Sequence, residues 1–115
     1  MAALDTVADY VNYARVLLQD QVNSPYRYPD ADLLMALNMA FPEAKKLRPD
    51  LFLTVTGIPF FTAVDTTPVP WNPMYRLPII YFMCGQAQVR DDEGLQDQRA
   101  AAFLGLFATK LSTAT

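Results

Sequence analysis

The acidic run Asp91-Asp92-Glu93 is the first group of residues in this sequence whose side chains could do chemistry. Three carboxylates could bind a metal ion or act as a pair in acid–base catalysis. Consecutive residues of a helix point in different directions, however, and the spacing of a calcium-binding loop is missing. Since acids are favourable at helix starts, we interpret this run as a solvated helix cap.

The single cysteine, Cys84, is the second candidate, and it lies within an apolar run. A cysteine nucleophile needs a base beside it, and the sequence has no histidine to serve as one. We therefore predict a buried structural thiol in a reducing compartment. The sequence predicts no catalytic residue, no cofactor and no metal site, and so a protein that is not an enzyme.

The tyrosines are the third group, because they could line a ligand pocket or stack on nucleic-acid bases. Proteins that stack on bases also carry a positively charged groove, which this sequence does not predict. We therefore interpret the tyrosines as core or interface residues. They are Tyr10, Tyr13, Tyr26, Tyr28, Tyr75 and Tyr81.

The composition predicts one folded domain spanning residues 1–115, since 52% of the residues are hydrophobic. Nine basic and twelve acidic residues leave a net charge of −3, and no basic block is long enough to follow a phosphate backbone. Sequence-specific nucleic-acid binding is therefore not expected. The longest apolar run, Leu77–Gly85, is shorter than the roughly 20 residues of a membrane span. We expect a soluble protein that is not exported and binds no membrane.

Apolar residues at spacings of three and four predict the first two helices. The first helix is expected over Asp5–Asp20, with Asp5 or Thr6 as its N-cap. The second is expected over Pro29–Pro49, with acids in its first turn and bases in its last. Pro42 lies inside this second pattern, and because the apolar stripe keeps its phase we predict a kink rather than a break.

Residues 50–72 separate these helices from the C-terminal half and are rich in Thr, Val, Phe and Pro. Two β-prone runs, LFLTVT and FFTAV, predict a hairpin or an extended arm. The aromatic residues of this arm either fold back over the helices or are covered by another subunit, and the sequence leaves both alternatives open.

Two further helices are expected in the C-terminal half. The third runs from near Pro73 to about Arg90, with a face formed by Leu77, Ile80, Tyr81, Cys84, Ala87 and Gln88. The fourth covers about Glu93–Leu111, with a face formed by Leu95, Ala102, Phe103, Leu106, Phe107 and Lys110. The predicted fold class is mainly α: a four-helix bundle-like domain with a short β-prone arm between helices 2 and 3.

The order of several segments resembles a known family. ARVLLQD is followed by YPDADLLMALNMAFPEAKKLRPDLF and then by PVPWNPMYRLPIIYFMCGQAQVRDDEGLQDQRAAAFLGLFATKL. This pattern, which covers almost the whole chain, resembles the small head-to-tail adaptor proteins of tailed bacteriophages. Its most specific pieces are YPDADLLMALN followed by LRPDLF, and DDEGLQDQRAAAFLGLF.

The resemblance implies a structural virion protein of the phage neck, assembled in the host cytoplasm. Copies of such an adaptor form a ring, typically dodecameric, which docks on the portal protein, extends the DNA channel and receives the tail or nozzle protein. Residues Phe107, Lys110, Leu111 and Thr115 would then contact the portal. Residues Phe60, Phe61, Val69, Trp71 and Tyr75 would contact a neighbouring subunit or another neck protein.

Two alternatives from other classes remain open at this point. One is a small helical binding or regulatory module that forms a dimer rather than a large ring. The other is a small enzyme that uses carboxylates, which would need an acidic pair meeting in a pocket.

Overall fold

The computed structural model describes residues 6–19, 28–53, 55, 57, 59–89 and 97–113. Most of these residues lie in four α-helices: α1 (Val7–Leu18), α2 (Asp30–Leu47), α3 (Arg76–Val89) and α4 (Asp97–Ser112). Short 3-10 helices at Pro49–Phe52 and Pro73–Tyr75 follow α2 and precede α3. The described residues form no strand, and the predicted mainly helical, four-helix fold is confirmed.

The N-terminus of α1 is capped partly by its own sequence and partly by the arm. Thr6 accepts a hydrogen bond with its side chain from the backbone N–H three residues later, at 3.2 Å. The N–H groups of Val7 and Ala8 donate to the carbonyls of Thr67 and Asp65, at 3.0 and 2.9 Å. Because the first N–H groups of a helix lack intrahelical partners, these contacts join the arm to α1.

Helix α2 continues without a break across Pro42, as the phase of its apolar stripe predicted. Its buried face consists of Leu33, Ala36, Leu37, Ala40, Phe41 and Ala44. At its N-terminal end, the buried guanidinium of Arg15 in α1 pairs with Asp30 and donates to the carbonyl of Tyr28 at 2.8 Å. This contact fixes α1 against the first turn of α2, where an acid is also favoured by the helix dipole.

Helix α3 lies at the centre of the fold and packs against α1, α2 and α4. The sequence predicted a single apolar face, but the structure buries α3 on almost all sides, with residues such as Ile79 and Met83 fully covered. A helix that is apolar on all sides is typically buried in a core. The continuous apolar run Leu77–Gly85 of the sequence agrees with this position. Leu77, which was assigned to the buried face, is exposed. No helix in the described ranges is long and apolar enough to cross a membrane.

Helix α4 packs on α3 through a face that shares Phe103 and Phe107 with the predicted face but differs from it in the other residues. Its covered residues are Ala100, Phe103, Leu104, Phe107 and Leu111. Ala102, Leu106 and Lys110, which were assigned to the buried face, are exposed, and Leu95 lies outside the described residues. The reason lies in α3, because a Cβ added at Gly85 would come within 2.6 Å of the Leu104 side chain. Because Gly85 has no side chain, Leu104 can pack against its backbone, and this side of α4 therefore faces α3.

The arm is irregular where it is described. The start of the first β-prone run, Leu51-Phe52, belongs to the 3-10 helix Pro49–Phe52 rather than to a strand. Apart from one isolated bridge between Thr6 and Pro68, the described part of the arm has no β pairing. The hairpin alternative is therefore not observed among these residues, because the arm pairs with helices instead of with itself.

Candidate functional site

Trp71 is the centre of an aromatic cluster that joins the arm to the helices. Its Nε1–H donates to the hydroxyl of Tyr10 at 2.7 Å, and its ring stacks on Phe41 at 5.2 Å between centroids. Phe61 meets the same indole edge-on at 6.2 Å. With 4% of its surface exposed, Trp71 lies in the core of the chain itself.

The cluster extends from Phe41 to the two 3-10 helices. The rings of Phe41 and Phe52 lie 5.3 Å apart, and those of Phe52 and Tyr75 lie 5.5 Å apart. Val69 packs beside the cluster and is half-buried. For Phe61, Trp71 and Tyr75, which were candidate interface residues, the structure therefore favours the alternative in which the arm folds back over the helices.

Asn38 of α2 holds the arm at Phe61. Its side-chain Nδ2 donates to the carbonyl of Phe61 at 2.8 Å, and its Oδ1 accepts from the N–H of Phe61 at 2.7 Å. The amide thus satisfies the backbone of Phe61 as a neighbouring strand would. As a result, the Phe61 ring points into the core and is 8% exposed, whereas the preceding Phe60 ring is 75% exposed.

An open apolar groove lies between the arm and the outer side of α2. It has a volume of about 490 Å³, and no charged residue lines it. The lining residues are Ala31, Leu34, Met35, Asn38, Met39, Phe60, Phe61 and Thr62. Methionines adapt their shape to a bound surface, and exposed aromatics serve as anchors, so this groove can bind an apolar surface.

Phe60 and Phe61 were predicted to form a contact surface, whereas Met35 and Met39 were not. A signal for these methionines exists, because Ala31, Met35 and Met39 recur every four residues on α2, away from its main stripe. Both methionines are more than 40% exposed. A second apolar stripe on an amphipathic helix indicates a second apolar contact surface beside the face that packs in the core.

The residues expected at the portal differ in what they present to solvent. Phe107 packs its ring against Phe82 at 5.0 Å and is buried, and Leu111 is fully buried. Lys110 is exposed on the last turns of α4, and Thr115 lies outside the described residues. Of this set, Lys110 is the described residue whose side chain can reach a partner, while Phe107 and Leu111 hold α4 in place.

Arg48 connects the end of α2 to the end of α4. Its Nη1 donates to the carbonyls of Leu111 and Ser112, at 3.0 and 2.7 Å. Its Nε and Nη2 donate to the two carboxylate oxygens of Asp50, at 3.0 and 2.9 Å. These hydrogen bonds lower the pKa of Asp50 and raise that of Arg48. The C-terminal carbonyls of α4 therefore face a fixed cation, which helix ends favour.

Cys84 is a buried free thiol, as predicted. Its Sγ lies 3.6 Å from the carbonyl oxygen of Ala14, to which it donates a weak hydrogen bond. Burial raises the pKa of the Cys84 thiol to about 12. A thiol that stays protonated at neutral pH is a poor nucleophile, so this residue acts in packing.

The acidic run Asp91-Asp92-Glu93 and the tyrosine Tyr26 lie outside the described residues. Within the described ranges, no three Cys, Asp or Glu residues come together in a way that could hold a metal ion. Tyr10, Tyr28 and Tyr75 are buried, and their positions agree with the interpretation of the tyrosines as packing residues.

Comparisons of the chain with protein-family models, with curated proteins and with solved structures find no match. The functional interpretation of the groove therefore depends on the residues of this chain and on their geometry. Those residues form an exposed apolar surface beside a backbone that Asn38 holds by two hydrogen bonds.

Proposed function

We propose that the chain is a structural subunit of the neck of a tailed bacteriophage, a head-to-tail adaptor that forms a ring beneath the portal. The order and spacing of the segments that resemble this family support the proposal. So does the mainly helical fold, whose four described helices leave the apolar groove on one side. In this role the protein works by stoichiometric binding and not by catalysis.

The observation that carries the proposal is the exposure of Phe60 above the groove. The Asn38 side chain fixes the backbone of Phe61, the residue that follows Phe60. The fold therefore holds the Phe60 ring outward. Met35 and Met39 are exposed on the facing side of α2. Exposed, contiguous apolar residues on a small domain are typical of a surface that another protein covers.

The proposed contacts divide between two ends of the molecule. Phe60 and the groove contact a neighbouring subunit or another neck protein, and the C-terminal end of α4 contacts the portal. The hydrogen bonds from Arg48 to the last carbonyls of α4 stabilise this end for docking. The acidic net charge of the chain suits a channel wall along which DNA slides without binding.

The experiment is to mix the purified chain with a portal protein and to follow assembly by light scattering and negative-stain electron microscopy. We expect an additional ring at one end of the portal particles. A chain that stays monomeric and never joins the portal would remove the adaptor proposal. A stable dimer that ignores the portal would instead support a dimeric binding or regulatory module.

A further inference from the structure

Helix α4 carries a line of exposed residues beside the face that packs on α3. Arg99, Ala102, Leu106 and Lys110 follow one another at spacings of three, four and four residues, which places them on one face of the helix. All four are exposed. We call them the basic stripe, because a cation stands at each end of an apolar centre.

Helix α2 carries a line with the same spacing and the opposite charge. Asp32, Met35, Met39 and Glu43 also follow one another at spacings of three, four and four residues. Glu43 and both methionines are exposed, and Asp32 is half-buried. We call them the acidic stripe, and its two methionines form one wall of the groove.

The two stripes match in length as well as in charge. In each stripe the end residues are eleven positions apart, which in an α-helix corresponds to about 16 Å. The stripes therefore place two anions opposite two cations whether the helices run parallel or antiparallel. Leu106 lies at the centre of one stripe, where it can enter the groove beside the methionines of the other.

We infer that the acidic stripe of one copy of this chain binds the basic stripe of a second copy. The inference rests on the proposed function, since it treats the groove as a contact between subunits. Within one copy Met35, Met39 and Leu106 are exposed, so a neighbour can reach the apolar centre of each stripe. A contact between two different surfaces of identical chains repeats from copy to copy and closes into a ring when the rotation allows.

A symmetric dimer through the groove fits these charges less well. Pairing the acidic stripe with itself would bring Asp32 and Glu43 of one copy against the same carboxylates of the other, which is unfavourable.

Arg99 already has contacts within its own chain, and these favour its role in the stripe. It donates from Nη2 to the carbonyl of Leu17 at 3.1 Å, and its guanidinium lies 5.6 Å from the centre of the Phe103 ring. The residue nevertheless remains exposed. A guanidinium held in place loses less side-chain freedom when it pairs with a carboxylate.

Cross-linking of two cysteine variants tests the inference directly. A Met39→Cys chain is mixed with a Leu106→Cys chain at high concentration and treated with a short bismaleimide. The cross-linker is long enough to join the two cysteines whether the paired helices are parallel or antiparallel. We expect the mixed dimer to exceed both same-variant dimers. The control is Thr66→Cys mixed with Leu106→Cys, because Thr66 is exposed on the arm outside the groove lining. Cys84 is buried in every variant and stays unreacted.

Charge reversal gives the second readout. We expect Glu43→Lys to lower the yield of the mixed dimer about fivefold, since a favourable exposed ion pair becomes a repulsive one. Lys110→Glu in the Leu106→Cys chain should restore the yield if the helices are parallel, and Arg99→Glu should do so if they are antiparallel. Mixed dimers at the control level, a preference for Met39→Cys dimers, or the failure of both reversals would overturn the inference.

The outcome is separable from that of the proposed function. Mixed cross-links in a chain that never joins a portal would keep this contact and remove the adaptor role. A chain that forms rings on a portal without these cross-links would keep the adaptor role and remove this contact.

Discussion

The arm and helix α4 each contain two consecutive apolar residues of which one is exposed and the other is buried. In the arm, Phe60 is 75% exposed while Phe61 is 8% exposed. In α4, Leu106 is 38% exposed while Phe107 is 7% exposed. Hydrophobicity alone does not distinguish the members of either pair, so other contacts must select the residue that turns inward.

Those contacts differ between the two regions. The arm is oriented by directional hydrogen bonds, from Asn38 to the backbone of Phe61 and from Trp71 to Tyr10. Helix α4 is oriented by shape, because the bare backbone of Gly85 admits the Leu104 side chain. In both regions the fold of one chain explains the inward side chain, and the proposed assembly would account for the outward side chain.

The largest expected effect is that of Trp71→Ala, which removes the centre of the aromatic cluster. Truncating a buried aromatic side chain costs about 3–5 kcal/mol of the free energy of unfolding, because contacts are lost and a cavity remains. Urea unfolding followed by far-UV circular dichroism measures it, since the chain has one tryptophan and the variant has none.

Trp71→Phe is the matched control for that variant. It keeps a ring to stack on Phe41 but cannot donate to the hydroxyl of Tyr10, so we expect a smaller loss of about 1–2 kcal/mol. If Trp71→Ala changed the free energy of unfolding by less than about 1 kcal/mol, the arm would not be part of the core.

The next prediction compares Gly85 of α3, which faces the inner side of α4, with Gly105 on the exposed side of α4. Gly85→Ala places a methyl group against Leu104 and should destabilise the chain by about 1–3 kcal/mol. Gly105→Ala meets no atom within 4 Å and should stabilise the chain by about 0.5–1 kcal/mol through its helix propensity. Thermal unfolding of both variants measures the difference, and effects of the same sign would contradict the packing described for α4.

Asn38→Ala tests the device that separates Phe60 from Phe61. The variant leaves the N–H and carbonyl of Phe61 without their partners, and we expect a loss of about 1–3 kcal/mol together with a change in Trp71 fluorescence. Asn12→Ala is the control, because Asn12 is exposed on α1. An Asn38→Ala chain that matches the control would show that the arm is positioned by packing alone.

A further effect concerns pH and the buried thiol of Cys84 in α3. The folded pKa of Cys84 is raised to about 12 from 9.0, so the folded state binds this proton more tightly than the unfolded state does. The stabilisation is complete below the unfolded pKa and is lost as the pH rises from about 9 to about 12. Urea unfolding across this range should show a steeper loss for the natural chain than for Cys84→Ala, and equal slopes would contradict the burial of the thiol.

Much of the fold could be predicted from residue spacing. The stripe of α2 keeps its phase across Pro42, and Thr6 was one of two predicted caps for α1, so both helices follow from local patterns. For α4 the spacing was ambiguous, because the helix carries apolar residues on two sides. Only the close approach at Gly85, a contact between distant parts of the sequence, selects the inward side.

The candidate site was less predictable for a related reason. The β-prone composition of the arm predicted pairing between strands, but the Phe61 backbone pairs with the side chain of Asn38, a partner 23 residues earlier in the chain. Composition also cannot tell Phe60 from Phe61, or Trp71 as core from Trp71 as interface. The adaptor role stays a prediction that the resemblance and the exposed groove support.

The most direct test of the account is the binding of a Phe60→Ser chain to a portal, measured by negative-stain microscopy beside the natural chain. Because Phe60 is exposed, the variant should keep its free energy of unfolding to within about 0.5 kcal/mol. We predict that it is folded and yet fails to form rings on the portal. Rings as frequent as those of the natural chain would contradict the claim that the outward apolar residues serve assembly.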